Sequence, residues 1–338
     1  MYIANATGCT SIWGHSAPST PYTVNAQGRG PAWSNSLFED NAQFGLGMAT
    51  SVFNRREEVL HRAERLADVI GVPAKAWMAT MDDAEVSRET GDIFAEACAK
   101  IADTNEDAQF VVDNADVLNK PSMWIFGGDG WAYDIGYGGL DHVIASGKNV
   151  NVMVFDTEVY SNTGGQSSKS TPTGAVAKFA ASGKDVKKKD LAQIAMAYGY
   201  VYVAKIAMGA NPEQTLRAIR EAEAYDGPSL IIAYAPCINH GIKKGMNRAM
   251  EEMREAVRCG YWNLMRFDPS KAAEGKNPLS IDSHKPTESY RDFIMGEVRY
   301  NSLKLKFPER AEALFTEAEK QSVERYEHLL NEKKSYDN

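Results

Sequence analysis

Two polar segments in the middle of the chain carry residue types that bind phosphate and metal ions. The first is Gly128-Asp129-Gly130, where main-chain amides can bind phosphate oxygens and the aspartate can ligate a divalent cation. The second begins at Asp156 and runs through Thr157 and Val159 to Gln166. Taken alone, the Gly-Asp-Gly triplet is more typical of a plain turn than of a metal site.

The surrounding pattern predicts the elements that position these segments. Apolar runs indicate strands at 122–126, 150–155, 200–206 and 230–234, and amphipathic segments indicate helices at 135–144, 191–198 and 212–224. Strands that alternate with helices are typical of an α/β fold with a mostly parallel sheet covered by helices on both faces. Because each polar segment follows a strand, we expect both to meet at the carboxyl edge of this sheet.

That meeting would bring together three oxygen donors suited to Mg²⁺: the Asp129 carboxylate, the Thr157 hydroxyl and the Val159 carbonyl. Gly-Asp-Gly followed by Asn-Asn about thirty positions later is the general signature of thiamine-diphosphate enzymes. Here Asp156-Thr157 stands in place of Asn-Asn. A hydroxyl thus replaces an amide oxygen, and the general signature alone leaves the role of Thr157 open.

Composition excludes several other classes. The net charge of −8 disfavours a nucleic-acid partner, and no apolar run is long enough to cross a membrane. Without a recognisable signal sequence at its start, the chain is expected to be cytoplasmic. Outside the central sheet, helices are predicted at 44–70, 84–101, 246–257, 290–303 and 310–332. We predict a cofactor domain over residues 1–260 and a helical C-terminal extension over 261–338.

Three long motifs resemble the C-terminal cofactor domain of pyruvate:ferredoxin oxidoreductases, also called pyruvate synthases. They lie at 5–14, 30–41 and 156–166, and the likeness runs from Met1 to at least Phe267. The resemblance implies a thiamine-diphosphate-binding fold with Mg²⁺ on Asp129, Thr157 and the Val159 carbonyl. It also implies a set of residues that line the cofactor: Gly128, Asp129, Gly130, Trp131, Thr157, Glu158, Val159, Tyr160, Ser161 and Asn162.

The role of Asn162 has two interpretations. By the resemblance its amide reaches the carbonyl region of the substrate and acts as a catalytic hydrogen-bond donor. The plainer alternative is a turn residue that caps its own loop.

The resemblance also assigns two of the four cysteines. Cys9 and Cys237 match two ligands of a [4Fe–4S] cluster beside the thiamine, whereas Cys98 and Cys259 are expected to be packing residues. The other two family ligands belong to a Cys-x-x-Cys segment placed shortly before the position of Met1. The chain is therefore expected to be a fragment, or to receive those ligands from another chain, and to hold no stable cluster alone.

The reaction implied by the resemblance is the oxidative decarboxylation of pyruvate, with electrons passed to ferredoxin or flavodoxin and the acetyl group passed to coenzyme A. The glutamate that activates the cofactor and the arginine that binds substrate carboxylate would come from N-terminal domains of a homodimeric enzyme, so the fragment alone is expected to be inactive. Another 2-oxoacid, a cluster-free thiamine decarboxylase and a non-catalytic remnant remain alternatives.

Two basic stretches and two histidines complete the candidates. Lys187-Lys188-Lys189 and Lys243-Lys244 could attract coenzyme A phosphates or an acidic ferredoxin, but solvated surface is the simpler interpretation. His15 and His240 stand in the two cysteine loops, where hydrogen bonds that order the loop are the default expectation.

Overall fold

The structure is a computed structural model that describes residues 1–13, 24, 26, 28 and 30–337. The chain divides into two compact units. One comprises Met1–Tyr2 and Gly45–Met123, and the other comprises Ile3–Phe44 and Trp124–Asn338. Every predicted site residue lies in the second unit.

An eight-stranded sheet with the order β2-β1-β3-β4-β6-β5-β7-β8 forms the centre of the second unit. β3 pairs with β4, β4 with β6 and β6 with β5 in parallel, whereas β7 and β8 join the β5 edge antiparallel. The strands are β1 (Tyr2–Ala6), β2 (Ala32–Ser36), β3 (Met123–Gly128), β4 (Asn151–Asp156), β5 (Tyr202–Ile206), β6 (Ser229–Tyr234), β7 (Met265–Phe267) and β8 (Leu279–Ile281).

The described residues also form thirteen α-helices: α1 (Cys9–Trp13), α2 (Asn41–Leu66), α3 (Val72–Thr80), α4 (Val86–Ala99), α5 (Glu106–Asp113), α6 (Tyr137–Ala145), α7 (Leu191–Met196), α8 (Pro212–Ala224), α9 (Ala249–Arg258), α10 (Ser270–Ala273), α11 (Tyr290–Met295), α12 (Val298–Lys306) and α13 (Pro308–Ser335). None of the helices described is long and apolar enough to cross a membrane.

One face of the sheet carries a core that joins strands to α8. Met153 of β4, Tyr202 of β5 and Ile231 of β6 are buried there against Ala218 and Ala222 of the helix. α8 begins where the sequence predicts, because Pro212 opens it and the Asn211 side chain accepts a hydrogen bond from the Gln214 amide. The strands thus pack against α8.

The first unit has its own core. Trp77 is fully buried and stacks on Phe94 with ring centroids 5.5 Å apart. The buried Arg56 guanidinium donates to the carbonyls of Leu118 and Asn119 at 3.0 and 2.9 Å. These two main-chain acceptors lie outside the helices and strands, so the arginine supplies the hydrogen bonds that regular structure would otherwise provide.

The α/β architecture with a mostly parallel sheet is confirmed, and so are the four predicted strands. Several details differ from the predictions. The helix expected from residue 135 is preceded by a π-helical segment, Gly130–Ile135, and the C-terminal region adds β7 and β8 to its helices. The predictions also missed β1, β2, α3 and α5. The boundary between residues 260 and 261 stays a prediction.

Candidate functional site

Strand register brings the two polar segments to one edge of the sheet. Gly128 ends β3 opposite Phe155 of β4, and the two strands run parallel. Asp129 and Thr157 therefore emerge side by side, and Asp129 Oδ1 accepts hydrogen bonds from the Thr157 main-chain amide at 3.1 Å and the Thr157 hydroxyl at 2.8 Å. The two polar segments therefore meet at the carboxyl edge of the sheet, as predicted.

The three predicted Mg²⁺ ligands form a compact group of oxygens. Thr157 Oγ1 lies 2.8 Å from Asp129 Oδ1 and 3.1 Å from the Val159 carbonyl oxygen. An octahedral Mg²⁺ with ligands at about 2.1 Å places neighbouring oxygens about 3 Å apart. Both distances from Thr157 Oγ1 therefore match the spacing of neighbouring ligands in a Mg²⁺ coordination shell.

Asp129 is completely buried, which makes its charge costly without a cation. Its second oxygen, Oδ2, accepts a hydrogen bond from the Ser168 hydroxyl at 2.6 Å. Burial and then the nearby Asp156 raise the pKa of Asp129 to about 8, against the lowering effect of Ser168 and Thr157. A bound divalent cation would stabilise the ionised carboxylate.

Glycine is required at the tip of β3. A Cβ at Gly130 would stand 2.6 Å from the Tyr160 ring, and a Cβ at Gly127 would stand 2.3 Å from the Trp131 ring. The Trp131 side chain is fully buried beneath the turn. Trp131 is thus placed to line a cofactor with its main chain, whereas its indole supports the turn from below.

Glu158 occupies a strained position between two of the candidate ligands. Its φ of 63° lies in the left-handed region, which is uncommon for a residue other than glycine. Its buried carboxylate contacts Lys188 Nζ at 3.0 Å, Arg299 at 2.8 Å and the Tyr261 hydroxyl at 2.5 Å. Burial opposes ionisation, but Lys188 and Arg299 outweigh it and hold the pKa of Glu158 below its usual value. The side chain anchors the loop, and only the main chain of Glu158 remains to line a cofactor.

The interpretation of Lys187-Lys188-Lys189 as solvated surface is wrong for Lys188. Its ammonium group lies 2.7 Å from Asp156 and 3.0 Å from Glu158, both of which are buried. Burial lowers the pKa of Lys188, yet these two carboxylates raise it above its usual value. Lys187 is exposed, whereas Lys189 is half-buried with its Nζ 3.0 Å from the centre of the Tyr137 ring. Both lysines of the other basic pair have partners as well, Met295 for Lys243 and Glu252 for Lys244.

Asn162 lies at the exposed end of the second segment. Within the part of the chain that the structure describes, its side chain makes no hydrogen bond, so nothing there shows it capping its own loop. Thr163 and Gln166 close that turn instead, with 2.7 Å between Thr163 Oγ1 and Gln166 Oε1. The Asn162 amide is therefore available to a ligand.

The two predicted cluster cysteines converge although they are more than two hundred positions apart. Cys9 begins α1, Cys237 opens the turn after β6, and both are half-buried free thiols. Burial raises the pKa of Cys9, and the neighbouring Cys237 and Asp129 raise it further, whereas a hydrogen bond with Ser161 lowers it. The amide groups of Asn239 lie 3.5 Å from Cys237 Sγ. The cysteine pair thus stands beside the oxygen site.

Cys98 and Cys259 are buried, and burial raises the pKa of each thiol to about 12, as expected for packing residues. His240 is buried, and its Nε2 lies 2.8 Å from the Thr157 carbonyl oxygen, which ties the Cys237 loop to the oxygen site. His15 lies outside the described residues.

Sequence reasoning missed the buried residues that support the site. Ser168, Tyr261, Glu297 and Arg299 hold the two polar segments, yet they are scattered over more than a hundred positions. No spacing rule connects them. An Arg or Glu inside an otherwise apolar stretch, as at Glu297 and Arg299, was the only available signal.

Comparison with known proteins agrees with this geometry. Residues 112–233 match the model of the thiamine pyrophosphate enzyme family, C-terminal TPP-binding domain. The chain is 58% identical to the pyruvate:ferredoxin oxidoreductase of Moorella thermoacetica, in an alignment 345 positions long that covers 97% of this chain. The chain belongs to the pyruvate:ferredoxin and pyruvate-flavodoxin oxidoreductase family.

Other relatives in this family give the same picture. The pyruvate-flavodoxin oxidoreductase of Klebsiella pneumoniae is 55% identical over 96% of this chain, and the probable pyruvate-flavodoxin oxidoreductase of Escherichia coli is 50% identical over 97%. The chain spans 28 to 29% of the length of these oxidoreductases. It contains the thiamine-pyrophosphate-binding domain that the family model describes.

Proposed function

We propose that this chain supplies the diphosphate-binding and Mg²⁺-binding part of a 2-oxoacid:ferredoxin or flavodoxin oxidoreductase whose substrates are pyruvate and coenzyme A. The observation that carries the proposal is the group of three oxygens from Asp129, Thr157 and Val159 beside Cys9 and Cys237. Bound thiamine diphosphate would supply the electron sink for cleavage of the bond between the carboxyl and carbonyl carbons.

Each residue has a defined task in this proposal. The three oxygens would hold Mg²⁺ against the diphosphate, and the amides of residues 128 to 131 would donate to phosphate oxygens. The exposed Asn162 amide would donate to the substrate's carbonyl oxygen. Cys9 and Cys237 would supply two ligands of a [4Fe–4S] cluster, with the Asn239 amide groups as donors to the Cys237 sulfur. The remaining ligands, the activating glutamate and the subunit partner of a homodimer would come from outside this chain.

Calorimetric titration with thiamine diphosphate, in the presence and absence of Mg²⁺, tests the proposal. We expect saturable binding that depends on Mg²⁺ and that is abolished by Asp129→Ala. Asp141→Ala is the matched control, because Asp141 lies on α6, accepts a hydrogen bond from the Tyr198 hydroxyl and stands outside the site. Binding that is indifferent to Mg²⁺, or that survives Asp129→Ala, would refute the proposed metal site.

Anaerobic reconstitution tests the cluster assignment. With only Cys9 and Cys237 as ligands, the isolated chain is expected to retain fewer than four irons per chain after desalting. A full complement of four irons and four sulfides on the isolated chain would contradict this assignment.

A further inference from the structure

A large cationic cavity lies in the second unit, apart from the oxygen site. Its volume is about 910 Å³, and its walls come mainly from the segment before and within α7 and from α13. Asp129, Thr157 and Val159 do not line it. Ser168 does, and its hydroxyl points to Asp129, so one residue separates the cavity from the predicted Mg²⁺ ligands.

Most of the described cationic side chains that line this cavity form no ion pair with a carboxylate. Two of its lysines are neutralised, Lys169 by Asp134 at 2.7 Å and Lys188 by Asp156 and Glu158. Among the described residues, five further cations on the lining form no ion pair with a carboxylate: Lys184, Lys187, Lys189, Lys205 and Arg325.

Among the described residues that line the cavity, the only carboxylates besides Asp134 are Asp190 and Glu324. Asp190 caps the first turn of α7 through a hydrogen bond from the Gln193 amide, and Glu324 lies 3.6 Å from Lys320. The cavity therefore carries an excess of positive charge in a chain whose overall charge is −8.

Burial makes this excess unfavourable in the empty protein. It lowers the pKa of Lys184, Lys189 and Lys205 to about 8 in each case, which leaves the three groups mainly charged at neutral pH. Confined cations without counter-ions destabilise a fold, and an anion among them would remove that cost.

We propose that this cavity binds a phosphorylated small molecule at a site separate from the diphosphate site. Lysine ammonium groups and an arginine fork are the side chains that proteins use for phosphate. The volume lies in the range of small-molecule sites. Val186, Ala192, Met265 and Leu329 add an apolar wall, which suits the organic part of a phosphate ester.

The test is calorimetric titration of the full-length protein, saturated with thiamine diphosphate and Mg²⁺, with inorganic phosphate and with phenyl phosphate. We expect one saturable site for each probe, with tighter binding of phenyl phosphate because of the apolar wall. High salt should weaken both, since the attraction is between charges.

Two variants locate the site. We expect Lys187→Met and Lys205→Met each to weaken phenyl phosphate binding about tenfold, the loss typical of one charged contact. Lys187 is exposed, so its replacement is expected to leave the fold intact. Lys304→Met, at an exposed lysine of α12 outside the cavity, is the matched control and should bind as the parent does.

Three results would overturn the proposal: no saturable binding of either probe, unchanged binding in both cavity variants, or binding of the probe that occurs only when thiamine diphosphate and Mg²⁺ are left out. The last result would place the phosphate in the diphosphate site instead. Thiamine diphosphate binding measured in the same samples reports separately on the proposed function.

Discussion

At the scale of single residues, the candidate site has a threonine hydroxyl at the position where the general thiamine-diphosphate signature has an amide. Thr157 Oγ1 is the central atom of its group, within 3.1 Å of Asp129, Val159 and Ser161 oxygens. It is the natural residue at which to separate metal binding from loop structure.

Thr157→Val keeps the shape of the side chain and removes its oxygen. We expect the affinity for thiamine diphosphate in the presence of Mg²⁺ to fall at least about tenfold, because one of the three proposed metal ligands is lost. Thr163→Val, in the same loop but bonded only to Gln166 among the described residues, should bind nearly as tightly as the parent. Equal losses in both variants would show that the loop, and not the ligand, was damaged.

Thiol chemistry gives a second prediction at this scale. In the iron-free native chain at pH 8, Ellman's reagent is expected to modify Cys9 and Cys237, which are half-buried, and to spare Cys98 and Cys259. Cys98 and Cys259 are protected because burial hides their sulfur atoms and raises each thiol pKa to about 12. All four should react in guanidinium chloride, and fast reaction of more than two native thiols would argue against the described burial.

At the scale of elements, the turn after β3 and the loop after β4 must fit each other closely. Gly130 begins a π-helical segment whose first residue touches the Tyr160 ring of the opposite loop. Irregular helical turns of this kind are frequent at functional sites because they aim main-chain groups that a regular helix would use internally.

Gly130→Ala tests that fit. Its Cβ would lie 2.6 Å from Tyr160, so one of the two segments must move, and we expect thiamine diphosphate affinity to fall at least about tenfold. Gly138→Ala on α6 is the control, since a Cβ there meets nothing within 4 Å and alanine favours helix. Comparable binding by both variants would mean that the contact with Tyr160 does not position the turn.

The sequence predicted the elements that carry the site better than the residues that support it. The ends of β3 and β4 followed from apolar runs that stop at polar residues, which is why the meeting of Asp129 with Thr157 could be expected. Lys188 could not be placed, because a run of three lysines has no periodicity and its partner Glu158 lies 30 positions away. β1 and β2 were missed because polar residues, such as the buried Asn5 of β1 and its partner Asn35 of β2, make these strands look like loop.

At the scale of the whole molecule, a buried ionic cluster joins the cofactor loop to the C-terminal region. Arg299 lies 2.8 Å from Glu158 and 2.7 Å from Glu297, and all three are almost inaccessible to solvent. Burial opposes ionisation of Glu297, but Arg299 and His240 hold its pKa below the usual value. Both acids are therefore charged in the folded state and depend on the same arginine.

Arg299→Met is expected to lower the free energy of unfolding by about 3 to 5 kcal/mol, the usual cost of leaving a buried charge unpaired. Chemical denaturation followed by tryptophan fluorescence measures the change. Arg310→Met is the control, because its ion pair with Asp185 is largely exposed and worth less than about 1 kcal/mol. A loss for Arg299→Met no larger than for Arg310→Met would contradict the role of the cluster.

The strained backbone at Glu158 also sets an order of events during synthesis. The loop that carries Thr157 and Val159 is held partly by Arg299, which lies 141 positions later in the chain. Until the ribosome has made Arg299, Glu158 lacks one of the charges that hold it, and the strain of its left-handed backbone is less fully compensated. Thiamine diphosphate should therefore bind late, after the C-terminal helices have folded. Chains released before residue 299 should not retain the cofactor.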